Sequence, residues 1–262
     1  MTKEENNKPM SVSKKIAGCC FVRNAILFDY CIEASINSMK AFCDVVYVCY
    51  VEGEDETLEL LKSIGGITLI VCKKDEWDKI QGREKLALFQ NVAINQAQID
   101  GYEYCFLCQA DECVSQDSIP HIRQAVELGE EGYCVTRHNL WADEHHMLNV
   151  RQDRSPVSTV VNRLTKTCYR SYGDGESILS NSNLNFINKI EIWHCGFIRD
   201  NKKHIAKIKE IQQNIFQIEY DKRADLKEEF DWKDWGFTDA DLVPIHKPLP
   251  IYLKDWILKL NK

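Results

Sequence analysis

The sequence predicts an α/β protein with a mainly parallel central sheet, helices on both faces and a C-terminal helical extension. Two observations carry this prediction. First, short apolar runs alternate three times with helix-period stretches between Lys15 and Cys72, the pattern of parallel strands joined by crossover helices. Second, the strand-forming run Tyr104-Cys105-Phe106-Leu107-Cys108 ends abruptly in Gln109-Ala110-Asp111-Glu112, and a turn-and-helix signal follows at Ser115, Asp117, Ser118 and Pro120. With 262 residues and 44% hydrophobic content, the chain can bury one large core.

In chain order, Lys15 to Val22 reads as a buried strand ending at Arg23-Asn24, followed by a helix through about Met39. A second strand, Val45 to Val51, ends in the acidic turn Glu52 to Thr57. Helix Leu58 to Ile64 stops at Gly65-Gly66, and a third strand runs from Ile67 to Cys72. The charged Asp75-Glu76-Trp77-Asp78 leads into a long helix, Arg83 to Ile99, with one apolar side. After the Tyr104 strand come a helix, Ser118 to Leu128, and a strand, Tyr133 to Thr136. Beyond Arg137 the pattern loosens into strand-like pieces at Val157 to Leu164, near Tyr169 and at Ile190 to Phe197. Helix Lys203 to Tyr220, a charged stretch and an amphipathic segment, Ile251 to Leu260, complete the chain. The division expected is a flexible start (1–14), a catalytic α/β domain (15–200) and a helical extension (201–262) packed on that domain.

A formal charge of −7 argues against a general nucleic-acid coat and leaves a local basic groove open, for example Arg151 to Arg170 or Lys202 to Lys209. The opening residues lack the apolar core of a signal peptide, and no run approaches the ~18 apolar residues of a spanning helix. A cytoplasmic protein is expected. Most of the 12 cysteines sit among apolar neighbours and read as reduced core residues. Cys105 and Cys108 have no partner motif for zinc, and strand alternation turns them to opposite faces. The tail from Leu249 to Leu260 suits packing on its own domain or on a second subunit, with membrane-surface binding as the alternative.

Carboxyl ends of parallel strands face the crevice where ligands bind. Arg23-Asn24, the Glu54-bearing turn and Asp111-Glu112 all fall at such ends. Two acids there can hold a divalent cation and, through it, a phosphate. Neither glycine-rich phosphate loop is present.

Several ordered blocks carry a resemblance: Phe21-Val22-Arg23-Asn24-Ala25, Asp29-Tyr30, Glu54 to Thr57, Gln90-Asn91, Gln109-Ala110-Asp111-Glu112, Arg170 to Asp174 and Trp193 to Arg199. Over roughly Ile16 to Arg199 the chain resembles a family 2-like glycosyltransferase with the GT-A fold, which is Rossmann-like. The resemblance implies transfer of a sugar from a nucleoside-diphosphate-sugar donor to an acceptor hydroxyl, with Mn2+ or Mg2+ neutralising the diphosphate. It makes Asp111 the direct metal ligand. Glu112 is either a second ligand or turned to the other side, and His194 is the candidate to complete the coordination. Arg23, Asn24, Glu54, Gln109 and Asp111 are assigned to the donor. Gln109 stands where the usual Asp-x-Asp motif has its first acid, so it brings hydrogen bonds but no charge.

An inverting transfer needs a carboxylate base. Asp174 is the first candidate and Glu176 the next, with Asp143 and Glu144 beside Trp141 behind them. Trp141, His145 and His146 suit a loop that lines the acceptor or the sugar. A glycan precursor is the default acceptor and a hydroxylated DNA base the minority one. Two other classes stay open: a non-catalytic nucleotide- or sugar-binding module and a nucleotidyltransferase.

Overall fold

In the computed structural model the described residues are 14–141, 143–148, 159–175, 177–179, 184–211 and 238–260. Four parallel strands form one half of the main sheet: β1 (Ile16–Val22), β2 (Val45–Val51), β3 (Thr68–Cys72) and β4 (Tyr104–Leu107). Their residues are mostly β-branched, aromatic or cysteine, and β1, β2 and β4 are almost wholly buried. Such runs suit strands covered on both faces. The crossovers are α1 (Ile32–Lys40), α2 (Thr57–Ile64), a short α3 (Lys74–Lys79) and α4 (Glu84–Ile99). The stretch around Trp77, which carries no strong periodicity, forms α3, and the backbone N–H of Lys73 donates to Glu76 at its start.

The order β3-β2-β1-β4 sets up the site. The chain leaves β1 toward β2 and β3, then returns to the other side of β1 as β4. This reversal is the topological switch point, where ligands bind beyond the strand ends.

The rest of the sheet is mixed. After β4 come β5 (Glu112–Val114), α5 (Ile119–Leu128), β6 (Gly132–Trp141), β7 (His146–Leu148) and β8 (Val160–Lys166). Strands β9 (Arg170–Tyr172) and β10 (Ser177–Leu179) make a separate hairpin, and β11 (Asn185–Phe197) follows. Strand β8 pairs antiparallel with both β4 and β6, while β11 pairs parallel with β6 and antiparallel with β5. Helix α6 (Asn201–Lys209) comes next, then β12 (Leu242–Pro244) at the β7 edge and α7 (Lys254–Leu260).

Two apolar layers sandwich the parallel strands. One joins the sheet to α1, α2 and α5 through Ile36, Met39, Leu61, Phe106 and Ile122. The other joins it to α3 and α4 through Trp77, Phe89 and Ile94. Cys108 belongs to the first layer and Cys105 to the second, and every cysteine is a free thiol. A third cluster seats Leu253, Tyr252, Trp256 and Ile257 of the C-terminal segment against Ala34, Cys113, Leu140 and Trp193. Among the described residues no helix is long and apolar enough to cross a membrane.

Candidate active site

A crevice of about 330 Å³ opens beyond the ends of β1 and β4. Arg23, Gln109, Asp111, Asp174 and His194 line it, together with Phe21, Tyr30, Trp77, His204 and Lys207.

Asp111 is its chemical centre. It lies in the turn between β4 and β5 and is 6% exposed. Its backbone carbonyl accepts from the Cys195 N–H at 2.7 Å, which ties the turn to β11. In the register of β5 with β11, His194 stands opposite Glu112. From there its Nε2 reaches to 3.6 Å from Asp111 Oδ2. Gly196 makes room for this approach: a Cβ there would lie 2.4 Å from the His194 ring and 3.2 Å from Asp111 Oδ2. The buried Nδ1 of His194 has no hydrogen-bond partner among the described residues.

Two cations converge on the same oxygen. Lys207 Nζ donates to Asp111 Oδ2 at 2.8 Å, and Arg199 Nη2 does so at 3.4 Å. Arg199 also donates to the Phe28 carbonyl. The Tyr30 ring lies under both, 5.0 Å from Lys207 Nζ and 5.3 Å from the Arg199 guanidinium carbon. Burial pushes the Asp111 carboxyl up, but Lys207, His194 and Arg199 together outweigh it and hold the group well below the usual carboxylate range.

Glu112 faces a different environment. It is fully buried, with Oε1 and Oε2 taking the Arg163 fork at 2.7 and 2.9 Å and Arg137 at 3.5 Å from Oε1. Burial raises its carboxyl, and the arginines more than reverse that, leaving it below its ordinary value. Oε2 also accepts the Gln109 backbone N–H at 3.1 Å, so Glu112 braces the turn that presents Asp111.

The remaining sequence candidates divide. Arg23 follows β1, donates to the Glu52 carbonyl at 3.3 Å and pairs with Glu210 at 3.3 Å. With Lys85 it flanks Trp77, the two cationic groups lying 5.4 and 4.6 Å from the ring. Asn24 is buried away from the crevice lining. Its Oδ1 accepts the Glu54 N–H at 2.8 Å, and its left-handed backbone (φ 55°) turns the chain there. Glu54 is largely exposed, 4.0 Å from Arg23. Asp174 reaches the crevice from the turn after β9, between Gly173 and Gly175, both at positive φ. Glu176 lies outside the described residues. His146 pairs with Asp143 at 2.8 Å in the hairpin between β6 and β7, which does not join the crevice lining.

The motif at the end of β4 implies a divalent cation, and Asp111 and His194 offer the right kinds of ligand atom. Their surroundings do not fit one. An ion at Asp111 Oδ2 would meet an ammonium and a guanidinium already bonded there, and the second acid of the motif is committed to Arg163. Among the described residues no third His, Cys, Asp or Glu completes a ligand group. The same surroundings fit an anion.

Sequence reading did not single out Arg199 or Lys207. Both lie where a signal exists: Arg199 ends the last block of the resemblance, and Lys207 shares the inward side of α6 with His204 and Ile208, both buried.

The sequence matches none of the protein-family models and none of the curated proteins it was compared with. Similar solved structures share little sequence. A chain described as a glucose-1-phosphate thymidylyltransferase of Bacillus anthracis is 12% identical, with a TM-score of 0.43, over 70% of this chain and 90% of that one. Glucosyl-3-phosphoglycerate synthase from Mycobacterium tuberculosis, solved with Mn2+, UDP and phosphoglyceric acid, is 13% identical with a TM-score of 0.43, over 69% of this chain and 70% of that one. S. aureus TarS residues 1–349 with UDP is 16% identical with a TM-score of 0.41, over 59% of this chain, which spans 47% of that one.

Proposed function

We propose that this protein is a glycosyltransferase that moves a sugar from a nucleoside-diphosphate donor to an acceptor hydroxyl. The observation that carries the reading is Asp111, a buried carboxylate at the switch point, wrapped by cations in a crevice with an aromatic wall. A diphosphate needs such cations, and a sugar or base needs flat apolar faces such as Phe21 and Trp77.

The chemistry asked of the site is simple. The bond from the anomeric carbon to the β-phosphate oxygen breaks, and its electron pair leaves on that oxygen. The acceptor oxygen bonds to the same carbon and gives up its proton, for which Asp174 is the base in this reading. Arg23 holds the donor from the β1 side. Gln109 offers uncharged hydrogen bonds beside Asp111. Glu112 serves as the brace of the turn, with no ligand role.

Equilibrium titration with UDP, GDP, ADP and TDP tests the donor half. At least one should bind, and Arg23→Met should weaken it about 10- to 100-fold, the worth of one charge-assisted hydrogen bond. Binding of none of them would contradict the reading.

A further inference from the structure

We propose that Lys207, carried into the crevice by α6, is the cation that meets the donor diphosphate, in the role expected of a divalent metal. The inference rests on the glycosyl-transfer reading and adds the identity of the group that stabilises the leaving diphosphate.

Charge is the first support. Asp111 brings one negative charge, while Lys207 and Arg199 bring two positive ones, at 2.8 and 3.4 Å from the same oxygen. Glu112 adds no excess negative charge, because Arg163 and Arg137 surround it. The corner of the crevice around Asp111 is therefore electropositive, while Arg23, Asp174 and Glu210 charge the rest of the lining. That corner attracts a diphosphate and opposes a free divalent cation.

Geometry is the second. Arg199 is fully enclosed and fixes Asp111 from behind, whereas the Lys207 side chain is 14% exposed and lines the crevice. Asp111 and the Tyr30 ring hold its ammonium in place before any ligand arrives. A preset cation needs little reorganisation as charge develops on the β-phosphate oxygen once the anomeric bond breaks. Lysine binds phosphate well as a point charge. On this view the acid at the end of β4 aims a lysine.

The experiment is titration of the full chain with inorganic pyrophosphate in excess EDTA, then with Mn2+, for the wild type, Lys207→Met and Lys207→Arg. Circular dichroism checks that each variant is folded. Pyrophosphate should bind in EDTA, Lys207→Met should weaken it about 10- to 100-fold and Lys207→Arg should largely restore it. No binding in EDTA, or an affinity in EDTA that Lys207→Met leaves unchanged, would overturn the proposal. The parent reading fails separately: EDTA-resistant pyrophosphate binding without nucleoside-diphosphate release from any sugar nucleotide contradicts glycosyl transfer alone. Release that strictly requires Mn2+ contradicts the role of Lys207 alone.

Discussion

Neighbouring carboxylates take different work because adjacent residues at the start of a strand point to opposite sides. Asp111 turns to the crevice, and Glu112, the first residue of β5, turns into the fold. The position of the acids was legible in the sequence, since an apolar run ending in two of them is poor packing material. Their separate roles were not, because Arg163 and Arg137 come from strands far along the chain, in the region where periodicity fades. Glu112→Gln should cost roughly 3–5 kcal/mol, since it removes the buried carboxylate that takes the Arg163 fork and faces the Arg137 guanidinium. Urea unfolding checks this, and a loss below about 1 kcal/mol would contradict the brace role.

The elements themselves were legible in proportion to how local their signals are. Strands β1 to β4 and helices α2, α4 and α5 lie within a few residues of where the apolar pattern puts them. Helix α1 ends where expected but starts only at Ile32, after a turn that follows Asn24. Helix α3 has only Trp77 buried and no repeating apolar face, so it carries no periodic signal. Helix α6 was legible as a helix, yet charge alone does not tell which of its lysines turns inward. Only the burial of His204, Ile205 and Ile208 does so. The C-terminal segment shows the converse: its apolar residues suit either a membrane surface or a core, and in the structure they contact α1 and β11. Leu253 is fully buried there. Leu253→Ala should cost about 2–5 kcal/mol in denaturant unfolding, the usual range for emptying a well-packed leucine site. A negligible change would mean the segment contributes little to the third apolar cluster.

At the scale of the whole molecule, parallel topology gathers residues distant in sequence at one sheet edge. The three early strand–helix alternations made that half of the fold readable. The antiparallel half, where β6, β8 and β11 interlock, was not readable, because its pairings are long-range and β11 shifts register against β6. Closure of the crevice by α6 also links stability to pH. Burial, Arg199 and Lys207 lower the His204 pKa from its ordinary 6.5 to about 3. The unfolded chain therefore binds the extra proton between those values. Stability from this site is intact above about pH 6.5 and falls as the pH drops toward about 3. His204→Gln should flatten that acid slope in thermal melts across the window. An unchanged slope would show that His204 is not held neutral by the fold.

An Asp111 crevice that consumes a sugar nucleotide, as proposed, must release a nucleoside diphosphate. The most direct measurement is release of nucleoside diphosphate from a panel of sugar nucleotides, with wild-type protein and Asp111→Asn side by side. One donor should be turned over, and Asp111→Asn should lower the rate about 100-fold or more, as expected when preset charge stabilisation is lost. No release from any donor, or release undiminished in Asp111→Asn, would contradict it.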